Sequence, residues 1–134
     1  MRMGADLMKT PKKPKKAPLL KSFKYAFEGI AAGIIKERNM KIHCAAALLV
    51  TAAGFIFKIS AVEWCVCLVF FGLILALELV NTAIESAVDL VTAERRPLAK
   101  LAKDTAAGAV LIAAIMAAVA GCIIFVPKLI LFIS

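Results

Sequence analysis

Residues 64–91, WCVCLVFFGLILALELVNTAIESAVDLV, decide the fold. The first half is an unbroken apolar run. From Glu78 onward polar groups enter at a fixed rhythm: Glu78, Asn81, Glu85 and Asp89 stand at offsets 0, 3, 7 and 11. At about 100° per residue those offsets put all four on one narrow stripe of a helix. Leu79, Val80, Ile84, Val88 and Leu90 cover its other sides. A bilayer core about 30 Å thick needs roughly 20 apolar residues to cross it as a helix. This stretch is therefore read as a membrane-spanning helix with a polar face at one end.

Two further stretches have the same character. Residues 42–62 include CAAALLVTAAGFIF, and residues 101–126 include TAAGAVLIAAIMAAVAGCIIFV. With 63% hydrophobic and 19% charged residues in a chain of 134, the composition lies outside the balance of soluble domains. The expected fold is an all-α integral membrane protein with transmembrane helices at about 42–62, 64–91 and 101–126. The last is bounded at about residue 126 because Pro127 disturbs a helix, and the sequence leaves open whether PKLILFIS continues it.

Charge sets the orientation. Eleven of the 17 lysines and arginines lie at or before Lys41, and Arg95, Arg96, Lys100 and Lys103 lie between the second and third spans. Only Lys58 and Lys128 fall on the other side. Short cytoplasmic loops carry the excess of Lys and Arg, so the N-terminus is expected in the cytoplasm. Residues 1–18 form an expected disordered basic tail, with five lysines and three prolines between Lys9 and Pro18. Its expected partner is anionic lipid. No aromatic stacking platform or recognition helix accompanies the lysines, so no nucleic-acid partner is expected.

Between tail and first span, residues 19–39 carry Leu20, Phe23, Ala26, Phe27, Ile30, Ile34 and Ile35 at helical spacing, with Lys24, Glu28 and Lys36 interleaved. This pattern predicts an amphipathic helix on the membrane surface. Gly29 and Gly33 have a G-x-x-x-G spacing that allows close helix contact. Cys44, Cys65, Cys67 and Cys122 sit in apolar stretches without metal or redox spacing, and read as packing. His43 is the only histidine and there is no P-loop pattern, so a nucleotide site must be built another way.

Three carboxylates on a membrane helix each cost several kcal/mol unless paired, solvated or neutralised. The bland explanation is a polar helix–helix contact paired with the basic loop. A proton or cation relay is a second, and a divalent-metal and phosphate site near the cytoplasmic face is a third. The last accounts for the number of carboxylates and for their closeness to the basic loop. Mg²⁺ favours carboxylate oxygens together with substrate phosphates. Lys100, Lys103 and Asp104 share a face at the start of the third span, where the lysines can meet polyphosphate and Asp104 can hold a lysine or a nucleotide group.

Three strings together carry a resemblance: ERN-x-K-I-H at Glu37 to His43, ELVNTAIESAVD at Glu78 to Asp89, and AKD followed by small residues from Ala102. Over roughly residues 21–124 the chain resembles the prokaryotic diacylglycerol kinase family, most of all its undecaprenol kinase branch. The resemblance implies a bacterial plasma-membrane lipid kinase, residues 19–134 forming one kinase domain. It also implies a homotrimer with sites shared between neighbouring subunits.

By position, Glu78 resembles the catalytic base and Asn81 an active-site asparagine. Glu37 and Glu85 resemble the carboxylates that hold Mg²⁺ and, through it, ATP, while Lys103 and Asp104 resemble nucleotide contacts. Asp89 completes the stripe without an assigned role. His43 stands where Gram-negative diacylglycerol kinases tend to carry an acidic residue, which favours undecaprenol as acceptor over diacylglycerol. A small proton-coupled carrier, in which Glu78 alternates its protonation, is the reading from another class.

Overall fold

The computed structural model describes residues 18–134, so the basic tail at 1–17 lies outside the described residues. The described residues form four helices: α1 (Leu19–Lys36), α2 (Arg38–Ile56), α3 (Ala61–Val91) and α4 (Pro97–Ile133). Three of them, α2 to α4, are long and apolar enough to cross a membrane. α4 runs closely along α3, α2 packs more lightly on α3, and α1 touches both α2 and α3. The backbones of α2 and α4 do not approach each other.

Apolar side chains point outward along all three long helices. Leu48, Leu49, Phe55, Leu68, Leu111 and Ile123 are each between 60% and 73% exposed. Burying one such side chain is worth about 1.5–3 kcal/mol, so in water this surface would drive aggregation. In a bilayer it is matched to its solvent.

The helix ends differ from the sequence expectation for definable reasons. α1 and α2 are separated by a single residue, Glu37, whose backbone is extended (φ −89°, ψ 124°). The sequence placed this joint near residues 39–42. The elbow forms earlier because Gly33, the buried residue of α1, abuts Leu79 of α3. A Cβ there would come within 2.6 Å of Leu79 Cδ2. Gly29 has nothing within 4 Å, so only half of the G-x-x-x-G spacing makes a close contact.

α2 stops at Ile56 rather than near residue 62. Phe57 and Lys58 turn the chain, with Lys58 in the left-handed region at φ 50° and the Ile59 N–H donating to Gly54 O at 3.1 Å. α3 then starts on a capping box: the Glu63 N–H donates to Ser60 Oγ, and the Ser60 N–H donates to Glu63 Oε2 at 2.7 Å.

α4 passes through Pro127 to Ile133 instead of ending near residue 126. The lost hydrogen bond is outweighed by ties beyond the proline. Lys128 Nζ lies 3.0 Å from Glu63 Oε1, and Phe132 packs edge-on to Phe57 with ring centroids 5.7 Å apart.

A hydrophobic cluster sits at this end of the molecule. Ile59, Cys67 and Ile124 form a buried cluster supported by Val50, Phe57, Trp64, Phe71 and Phe125. Gly54 is pressed against the Trp64 ring, where a Cβ would fall 2.7 Å from the indole. A ring cannot yield as a flexible side chain can, and overpacking typically costs about 1–3 kcal/mol. Gly54→Ala is therefore expected to lower the thermal unfolding temperature in detergent. Gly29→Ala, with open space around it, should not; equal effects of the two would contradict this packing.

Candidate functional site

α3 carries the polar stripe, and its length decides where each group sits. Its 31 residues rise about 46 Å at 1.5 Å per residue, more than the roughly 30 Å hydrocarbon core. Measured from Glu63 at the capped end, Glu78 lies about 22 Å along the axis and Asp89 about 39 Å. Glu78 is thus still within apolar depth, and Asp89 is beyond it.

Burial follows that gradient. Glu78 is 2% exposed and Asn81 7%, Glu85 is half-buried and Asp89 is exposed. The stripe is continuous: Asn81 Nδ2 donates to Glu85 Oε1 at 3.3 Å, one turn further on. Asn81 Oδ1 is left buried without a hydrogen-bond partner. Such an orphaned acceptor is rare in a native interior and calls for a donor or a cation.

The other elements bring groups to the stripe from both ends. At its deep end His43 of α2 sets Nε2 3.4 Å from Glu78 Oε1. Glu37, at the α1–α2 elbow, is half-buried. The close contact of Gly33 with Leu79, the residue next to Glu78, holds the elbow there. At the outer end, Lys103 Nζ of α4 lies 2.6 Å from Asp89 Oδ1. Asp104 pairs with Lys100 one turn away on α4. Within one subunit, then, Lys103 joins the stripe, whereas Asp104 is turned to its own helix.

Two spaces adjoin this line of groups. A basin of about 590 Å³ lies at the Asp89 end, where Arg95, Arg96, Lys100 and Lys103 face the carboxylates of Asp89, Glu94 and Asp104. Arg95 and Arg96 were read from the sequence only as orientation signals, yet they border this basin; their clustering with the lysines was the signal. At the Glu78 end an apolar cavity of about 260 Å³ runs between α2, α3 and α4, from His43, Ile74 and Leu75 towards Val50, Cys67 and Ile124. The pairing of His43 with Glu78 was not foreseen, because nothing local to either residue signals it.

A membrane-length helix bundle whose carboxylates lie between a basic basin and an apolar cavity has the layout for joining an anionic reactant to a hydrophobic one. Comparison with known proteins agrees. Residues 24–125 match the family model described as prokaryotic diacylglycerol kinase, and the chain belongs to that family. It is 47% identical over 109 residues to undecaprenol kinase of Bacillus subtilis (strain 168), covering 81% of this chain and 89% of that one. It is 42% identical over 117 residues to diacylglycerol kinase of Synechocystis sp. (strain ATCC 27184 / PCC 6803 / Kazusa), covering 86% and 67%. It is also 30% identical over 106 residues to diacylglycerol kinase of Escherichia coli (strain K12), covering 79% and 87%. The protein is accordingly a membrane lipid kinase, and the family implies ATP and a lipid as substrates. A proton-coupled carrier does not accord with that membership.

Proposed function

We propose that this enzyme transfers the γ-phosphoryl group of ATP to the hydroxyl of undecaprenol, with Glu78 accepting the alcohol proton. The observation that carries this reading is the position of Glu78, almost fully buried on the polar stripe and beside His43, which lines the apolar cavity. A hydroxyl on a long hydrocarbon chain can reach that depth without leaving the membrane, while a polyphosphate stays at the basic end. The cavity, at about 260 Å³, has room for roughly nine groups of water or methylene size. That is about the volume of two isoprene units of one chain. The 47% identity to an undecaprenol kinase supports the same choice.

The donor set suits Mg²⁺. Glu37 and Glu85 offer carboxylate oxygens and Asn81 Oδ1 is an unpartnered acceptor. Mg²⁺ is commonly held by one or two carboxylates plus substrate phosphates. Among the described residues no three His, Cys, Asp or Glu side chains gather as a metal cage, which is compatible with a site completed by nucleotide. Glu37 and Glu85 would hold the ion, which would supply positive charge to neutralise the phosphates. Lys103 and Asp104 would hold the nucleotide, Lys103 exchanging Asp89 for phosphate. Glu78 then takes the hydroxyl proton as the oxygen attacks phosphorus and ADP departs. Asn81 orients Glu85 and the reacting phosphate.

The setting is the bacterial plasma membrane, with the N-terminus and the α3–α4 loop in the cytoplasm by the distribution of Lys and Arg. α1 lies on the membrane surface: Leu20, Phe23 and Phe27 are exposed, and none of the described residues covers them. The active form is a homotrimer with sites completed by neighbouring subunits.

The test is phosphoryl transfer by purified protein in lipid, with γ-labelled ATP and undecaprenol. Labelled lipid is expected, its formation stopping on chelation of Mg²⁺ and resuming when Mg²⁺ is restored. Label that never enters lipid, or transfer indifferent to chelation, contradicts the proposal.

A further inference from the structure

We propose that His43 is the positioning residue for Glu78, fixing its carboxylate at the end of the site where the acceptor hydroxyl enters. This rests on the reading of Glu78 as the base. Nε2 of His43 stands 3.4 Å from Glu78 Oε1, and the two side chains are 21% and 3% exposed. Among the described residues His43 is the only group of potentially opposite charge within ion-pair distance of that carboxylate. Without the imidazole no described side chain would pair with that carboxylate.

The second observation is where the rest of the imidazole lies. His43 lines the apolar cavity, whose wall is otherwise alanine, valine, leucine, isoleucine, phenylalanine, glycine and one cysteine. One side chain therefore touches both the base and the compartment proposed for the acceptor. Lys103, the proposed nucleotide contact of α4, is remote: it pairs with Asp89, eleven residues along α3 from Glu78 and about 16 Å away along the axis. Loss of His43 should act on the acceptor side of the reaction and leave the nucleotide side intact.

The experiment compares His43→Ala, His43→Gln and His43→Leu with wild type and Glu78→Gln, all in lipid with Mg-ATP and undecaprenol. A misplacement of about 1 Å in a catalytic group can cost about a hundredfold. His43→Ala is expected to lose about that much kcat while KM for Mg-ATP changes by less than about twofold. Added imidazole should recover at least about a tenth of the lost activity, since it can occupy the vacated space. His43→Gln, which keeps a hydrogen-bonding group, should exceed His43→Leu, which does not. Thermal protection by Mg-ATP, measured on every variant, reports folding of the nucleotide side.

The proposal is overturned if His43→Ala keeps wild-type kcat while Glu78→Gln is inactive. It is equally overturned if His43→Ala, Gln and Leu lose activity alike, imidazole restores none, and Mg-ATP protection disappears with it, since His43 would then be only a packing residue. High activity in Glu78→Gln removes the base reading itself, and this proposal with it.

Discussion

Glu78→Gln is expected to fold, insert in the membrane and bind Mg-ATP, yet lose lipid phosphorylation by about 10²–10⁴-fold, the range for removing a general base. The amide has nearly the same size and shape as the carboxylate, so the packed surroundings of a residue 2% exposed are little disturbed. What it lacks is the capacity to accept a proton. The nucleotide contacts sit further along α3 and on α4, so Mg-ATP should protect the variant against thermal unfolding as it does wild type. Loss of activity together with loss of protection would point to a folding defect. Retention of most activity would remove Glu78 from the mechanism.

The second large effect is expected at Glu85. Glu85→Gln keeps an oxygen for the Asn81 Nδ2 donor, which lies 3.3 Å away in the native protein, so the stripe should keep its shape. It removes one negative charge from the group proposed to hold Mg²⁺. Loss of an outer-shell partner alone costs about 10–100-fold in metal affinity, and loss of a ligand charge should cost at least that. At fixed ATP the Mg²⁺ dependence of the rate should move to higher concentration by that factor, with partial recovery at high Mg²⁺. An unchanged Mg²⁺ dependence would take Glu85 out of the metal site. This signature differs from that of Glu78→Gln, whose deficit no amount of Mg²⁺ should relieve.

The parts legible in the sequence were those with a strong local signal. Three apolar runs mark three long helices, because lipid leaves no other role for so much hydrocarbon. The spacing of Glu78, Asn81, Glu85 and Asp89 put them on one face because helix period alone decides that. Their graded exposure followed once the helix had a direction.

The helix ends were harder, since they depend on what meets them. The elbow at Glu37 forms where Gly33 can approach Leu79, and α4 continues past Pro127 because Lys128 and Phe132 find partners on α3 and the α2–α3 turn. The same holds for the site. Position along α3 could be counted, but the approach of His43 to Glu78 and of Lys103 to Asp89 is set by how α2 and α4 lean on α3. That tilt is a property of many small contacts, and no short motif encodes it.

The most direct test of the central claim is a competition in one bilayer. Purified wild-type protein would be given Mg-ATP labelled at the γ-phosphoryl and an equimolar mixture of undecaprenol and diacylglycerol, so that the product ratio reads relative kcat/KM. Undecaprenyl phosphate exceeding phosphatidic acid by about tenfold or more, the scale of 1.4 kcal/mol, is the predicted result. An excess of phosphatidic acid would contradict it.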